Sequence, residues 1–90
     1  MADTDRYALE KLVRHAAAMA VQDAAAHMRN VNTIASAALG AAHEMILDNQ
    51  NVDQARAAIA EAQAMVTGAT QNFLMVADAA NRLLASPNQP

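Results

Sequence analysis

Residues 52–85 carry the most regular pattern in the chain and read VDQARAAIAEAQAMVTGATQNFLMVADAANRLLA. Apolar residues recur in this segment at alternating spacings of three and four, which is the heptad repeat of helices that pack along a common line. We call this contact line the seam. Its predicted members on this helix are Val52, Ala55, Ile59, Ala62, Val66, Ala69, Phe73, Val76, Ala80 and Leu83. Large side chains alternate with alanine over most of the seam, so the segment predicts a long helix with a closely packed partner.

The upstream segment supplies a matching but weaker heptad repeat. Its predicted seam residues are Ala17, Val21, Ala24, Met28, Val31, Ala35, Ala38, Ala42 and Met45. Because so many contact positions are alanine, the two helix axes can approach to the lower end of the usual range of about 8–10 Å. The sequence therefore predicts an antiparallel pair of helices.

Turn-favouring residues divide the chain at one internal place, the run Asp48-Asn49-Gln50-Asn51. We predict a single domain over residues 1–90, with helix one over residues 5–48, a turn over 49–51, helix two over 52–85 and a disordered tail over 86–90. Asn51 is a candidate N-cap for helix two, with Gln54 as its capping-box partner. A bend in helix one near Gly40 or around residues 30–32 is compatible with this reading. The expected fold class is all-α, an antiparallel two-helix hairpin of long alanine-rich helices that self-associates into a bundle or polymer.

The composition explains why self-association is expected. The chain is 54% apolar and 2% aromatic, and 25 of its 90 residues are alanine. Such a short chain buries little apolar area to offset the conformational entropy lost on folding. Large apolar residues also lie off the seam, namely Leu9, Leu12, Met19, Ile34, Leu39, Ile46, Leu47, Met65, Leu74, Met75 and Leu84. Apolar stripes of this kind usually mark an interaction surface, and we expect the partner to be another copy of the chain.

Charge and cysteine content exclude several classes of partner and chemistry. The net charge of −3 is spread along the chain and forms no basic footprint for nucleic acid. The absence of cysteine removes disulfides and thiolate catalysis, and it fits a cytoplasmic location. We expect no membrane span and no targeting segment, because the uncharged stretches are too short and too polar.

A belt of polar residues is predicted halfway along the hairpin. Counting outward from a turn near residue 50 places Asn30, Asn32 and Thr33 level with Gly68, Thr70 and Gln71. Two interpretations remain open. These groups either face solvent, or they form hydrogen bonds within or between hairpins and fix the register, as single polar residues do in coiled coils.

Three histidines are the obvious candidates for acid-base or metal chemistry. His15, His27 and His43 are separated by 12 and 16 residues, so they do not share one helix face. No pair has the i, i+4 spacing of a helical zinc site, and we expect neither a metal site nor a cofactor. The histidines are either inert on the surface or charge together below about pH 6 and disturb packed faces. Without a phosphate-binding loop or an activated nucleophile, the chain is predicted not to be an enzyme.

Several short segments resemble one known family. Val21-Gln22-Asp23-Ala24, the run from Met28 to Ile34, the run from Ala62 to Val66, and Thr70-Gln71-Asn72-Phe73 are similar to the small bacterial Reb family of R-body (refractile body) proteins. The resemblance extends over residues 13–85. Proteins of that family are short, helical and rich in alanine, asparagine and glutamine. They polymerise into ribbons that roll into a cytoplasmic scroll, and some scrolls unroll on acidification and are linked to a killing trait.

Two functions of different class follow from these observations. The resemblance implies a structural subunit or an assembly partner of an R-body-like polymer, with itself and related family subunits as partners. The alternative is a discrete helical-bundle interaction module, such as an adaptor or a phasin-like coat protein, whose apolar stripe binds another surface. The size of the assembly distinguishes the two functions.

Overall fold

The chain forms two long α-helices joined by a tight turn. The computed structural model describes residues 3–85, in which α1 spans Asp3–Leu47 and α2 spans Val52–Ala85. No strand occurs within these residues. The helices run back along each other in a hairpin whose dimensions are 70 × 20 × 12 Å. The structure confirms the predicted all-α helical hairpin.

Helix α1 begins at Asp3 instead of residue 5 and ends at Leu47 instead of residue 48. Asp3 and Asp5 both lie in its first turn, where carboxylates stabilise the positive end of the helix dipole. The helix is unbroken at Gly40, and its 45 residues at about 1.5 Å each account for the full length of the hairpin. The predicted tail, residues 86–90, lies outside the described residues.

The turn closes α1 with a Schellman motif. The Asn49 amide donates to the Ile46 carbonyl at 3.0 Å, and the Gln50 amide donates to the Met45 carbonyl at 2.9 Å. Asn49 has a φ of 56°, the left-handed conformation that this motif requires at the residue after the cap. Asparagine tolerates this conformation better than most residues, which explains its place here.

Asn51 is the residue directly before α2, and its main chain makes the first hydrogen bond of the helix. The Asn51 carbonyl accepts this bond from the Ala55 amide at 2.9 Å. Its φ of 46° is left-handed, whereas a capping box with Gln54 uses an extended cap residue. The expected capping box is therefore wrong in its backbone geometry, although the helix begins where it was predicted to begin.

The core consists almost entirely of alanine. In residues 3–85, eight of the nine buried apolar residues are alanines, and no large side chain is fully buried. All nine lie at predicted seam positions, namely Ala17, Ala24, Val31, Ala35, Ala42, Ala55, Ala62, Ala69 and Ala80. The two helices therefore contact each other along a line where a methyl group is the usual side chain.

Both helices contribute alanines to the core. Ala17 and Ala80 line the same groove near the end of the hairpin that lies far from the turn. Ala35 and Ala62 are buried further along the seam. Alanine on both helices permits their close approach.

The left-handed turn residue provides a first prediction. Asn49→Gly is expected to raise the melting temperature by a few degrees, because glycine adopts a positive φ without a Cβ penalty, and Asn49→Ala should lower stability by about 1 kcal/mol. Thermal unfolding followed by circular dichroism at one fixed protein concentration measures both effects. Equal melting temperatures for the two variants would contradict the assigned turn conformation.

Candidate assembly interface

The large residues of the seam lie beside the buried alanines and are half-buried. On α2 they are Val52, Ile59, Val66, Phe73 and Val76, and on α1 they are Val21, Met28 and Met45. The smaller Ala38 of the α1 seam is half-buried as well. Leu83 is the exception, since 51% of its surface is exposed. It borders two grooves between the helices, one lined by Ala17 and the other by Arg14. The prediction that Leu83 belongs to the packed seam is wrong, because it lies close to the end of α2 and neither helix covers it.

Large apolar side chains are displaced to the outside of the hairpin. Of those predicted to lie off the seam, Leu39 and Ile46 are half-buried and the others are exposed, and Tyr7 is exposed as well. The chain exposes 6750 Å², against about 5,000 Å² for a compact protein of its mass. Its radius of gyration is 20.4 Å, against about 12 Å expected for a compact chain of its length. The hairpin leaves uncovered the residues that would form the core of a compact domain.

One side of the hairpin carries apolar residues on either side of His27 and Asn72, and we call it the groove face. Buried seam residues recur at a spacing of seven, as in Ala55, Ala62 and Ala69, and also at spacings of four and eleven. Residues seven apart on a straight α-helix differ by only about 20° in direction, so neighbouring members of such a series lie on one side of the seam. Ala20 and Ala79 lie together in one groove on this side. The groove face comprises Val13, Ala20, His27, Ile34 and Ala41 of α1 and Ala58, Met65, Asn72 and Ala79 of α2.

Two adjoining grooves occupy the end of this face that lies far from the turn. One has a volume of about 220 Å³ and is lined only by alanines, Val76 and Leu83. The other has a volume of about 310 Å³ and is lined by Leu9, Val13, Leu83 and Leu84 together with the charged Arg6, Glu10 and Arg14. Leu83 borders both grooves.

The residues of the predicted polar belt lie outside the helix contact. Asn30, Asn32, Thr33, Thr70 and Gln71 are all exposed. The Thr33 hydroxyl donates to the Arg29 carbonyl of its own helix at 3.0 Å. The pairing of the belt residues across the hairpin stays a prediction.

The three histidines are exposed and lie on different sides of the hairpin. His27 is on the groove face, whereas the heptad positions of His15 and His43 place both on the other side. Within residues 3–85, no three His, Asp or Glu side chains are grouped so that they could hold a metal ion. Neither described helix has the length and apolar character needed to cross a membrane.

Comparisons with known proteins assign this chain to no family. The chain matches no protein-family model, no curated protein and no solved structure. The features that any function must use are the alanine seam, the groove face and the outer apolar residues of the two helices.

The alanine seam provides a second prediction. Ala62→Leu is expected to lower the free energy of unfolding by about 1–3 kcal/mol, because the added side chain separates helices held at alanine distance. Ala64→Leu is the matched control, since Ala64 is exposed two residues away, and its effect should stay within about 0.5 kcal/mol. Urea denaturation of both variants at one protein concentration makes the comparison. An Ala62 variant as stable as the Ala64 variant would show that the seam is not tightly packed.

Proposed function

We propose that this chain is a structural, self-assembling subunit of an R-body-like protein polymer, acting without catalysis and without a cofactor. Its partners are further copies of itself, and related subunits of the same family where these are present. The proposal places the protein in the cytoplasm, where polymers of that family form. It is supported by the distribution of apolar side chains in the hairpin and by the resemblance of residues 13–85 to the Reb family.

The observation that carries the proposal is that large apolar residues lie on the surface of the hairpin, whereas its core contains small ones. Eleven large hydrophobic residues are exposed in the described part of the chain, while the buried positions hold eight alanines and one valine. Burial of large apolar side chains is the main favourable term in folding and association. A second chain packed against the outer faces would supply the burial that one hairpin does not provide.

The exposed large apolar residues lie on more than one side of the hairpin. Growth into a polymer requires such a distribution, because each chain must contact neighbours on different sides. Ile34 and Met65 lie on the groove face, whereas the heptad positions of Leu12, Met19 and Leu74 point away from it. A single apolar face produces a closed dimer, and further contacts of different type are needed for an open assembly. The hairpin therefore has surfaces for lateral growth beyond a first pair of chains.

The histidines provide a route to acid sensitivity in such an assembly. All three side chains are exposed in the hairpin, so packing against a second chain would bring them into or beside an interface. Lys11 lies four residues before His15, Asp23 lies four residues before His27, and Glu44 directly follows His43. Histidine gains its positive charge below about pH 6. The new charges would then weaken packed faces without unfolding the helices.

Electron microscopy of the purified chain at pH 7 and at pH 5 tests the proposal. We expect ribbons or sheets at pH 7 and a changed form at pH 5, because acid charges the histidines at packed faces. A variant with His15, His27 and His43 all replaced by glutamine is the control. It should assemble at pH 7 and keep the same form at pH 5.

Each other result has a defined meaning. Uniform small oligomers at both pH values would overturn the polymer and favour the discrete helical-bundle module, an adaptor or a phasin-like coat. A stably folded monomer at micromolar concentration, measured by sedimentation, would overturn self-assembly altogether. An acid response that persists in the triple glutamine variant would assign it to carboxylates and overturn the role of the histidines.

A further inference from the structure

The groove face carries a pair of large apolar side chains and a hollow. Ile34 and Met65 lie on it at about the same level, 58% and 43% exposed, and form a ridge. Two heptads towards the far end, Ala20 and Ala79 lie in the groove of about 220 Å³. A bulky pair and a hollow on the same surface are the elements of a self-complementary contact.

The spacing of these residues is symmetric about one level of the hairpin. His27 lies seven residues after Ala20 and seven before Ile34. On the second helix, Asn72 lies seven residues after Met65 and seven before Ala79. A two-fold axis across the face at the level of His27 and Asn72 therefore places the ridge of each chain over the hollow of the other.

Two opposite charges lie at equal distances along the chain from His27. Arg6 lies 21 residues before His27, and Asp48 lies 21 residues after it. Both residues are exposed, and Asp48 is the turn residue that directly follows the last residue of α1. The same two-fold axis brings Arg6 of one chain to Asp48 of the partner subunit at both ends of the contact. Opposite charges at the ends of an interface fix its orientation and register.

We propose that a second copy of this chain docks on the groove face, antiparallel to the first, about a two-fold axis level with His27 and Asn72. This inference rests on the proposed function, because it names the first contact made by the self-assembling subunit. The contact joins α1 to the partner's α1 and α2 to the partner's α2, giving an antiparallel four-helix bundle. Val13 then lies opposite Ala41 of the partner subunit, again a large residue against a small one.

The size of the surface is sufficient for a stable dimer. The long and intermediate dimensions of the hairpin are 70 and 20 Å. A face of this length and width is larger than the area of about 800 Å² that each partner buries in a standard interface. In the antiparallel arrangement the two copies of α1 overlap along nearly their whole length, since His27 lies close to the middle of the helix Asp3–Leu47. The part of α1 that extends beyond Ala85 of its own α2 is thereby placed against the turn end of the partner.

A parallel pairing on the same face fits less well. It would set the ridge at Ile34 and Met65 against the same ridge in the partner, and the alanine-lined groove against an identical groove. Ridges in contact would hold the two faces apart and leave the grooves empty, which loses van der Waals contact. Parallel pairing would also leave Arg6 and Asp48 at opposite ends of the assembly.

Charged substitutions at two equally exposed residues test the face. Ile34→Asp is expected to raise the dissociation constant of the dimer on the order of a hundredfold, because it places an unpaired carboxylate in each half of the contact. Leu74→Asp is the matched control, since Leu74 is 59% exposed against 58% for Ile34 and its heptad position faces away from the groove face. Sedimentation equilibrium measures the mass, and circular dichroism checks that both variants remain helical.

The outcomes separate the inference from the function on which it rests. We expect the Leu74 variant to retain the dimer even where growth beyond the dimer is lost. If the unmodified chain assembles and Ile34→Asp assembles equally well, the groove face is not the contact and the inference fails, while the proposed function stands. If the unmodified chain remains monomeric at every concentration, both fail.

Cysteine crosslinking tests the orientation, since the natural chain has no cysteine. Ala20→Cys mixed with Ile34→Cys should form a crosslinked dimer with a short bis-thiol reagent, whereas each variant alone should not. His27→Cys alone should crosslink to itself, because it lies at the two-fold axis. Asn32→Cys, on the other side of the hairpin, is the control and should not form a dimer. Crosslinking between Ala20→Cys and Ala79→Cys, with none between Ala20→Cys and Ile34→Cys, would instead show a parallel dimer and overturn the proposal.

Discussion

Alanine at the contact positions brings the two helices close together, and the rest of the molecule follows from that distance. Ala35 and Ala62 are both buried in the contact between the helices, with 2% and 3% of their surfaces exposed. Larger side chains do not fit between helices this close, so Ile59 and Phe73 lie beside the line of contact and are only half-buried. Other large residues are displaced to the outer faces. The hairpin is therefore narrow, long and apolar on its outside.

The seam could be predicted from the sequence because it depends on a local rule. A repeat of three and four residues marks the side of a helix that faces a neighbour, and the buried residues of both helices lie at those positions. The same rule failed at Leu83, because it describes each helix separately and does not show what the other helix places opposite. Leu83 lies two residues before the end of α2, in grooves lined by Ala17 and by Arg14, and it remains exposed.

The relative level of the two helices could not be predicted, because it depends on the geometry of a few turn residues. The left-handed Asn49 ends α1 at Leu47 and returns the chain at once into α2. A difference of one residue in where a helix ends changes the level of every pair across the hairpin. The left-handed conformation of Asn49 and Asn51, which sets this level, is visible only in the structure.

An alanine core also links folding to assembly. Each buried alanine contributes little to the free energy of folding, since transfer free energy scales with the apolar area removed from water. The exposed side chains of Ile34 and Met65 hold a larger share of that area, and it is removed from water only when another surface covers them. Any partner that binds the folded hairpin but not the unfolded chain adds to its stability by mass action. If that partner is a second hairpin, the stability of the fold rises with the concentration of the protein itself, and the low aromatic and high alanine content describe a core that is shared between chains.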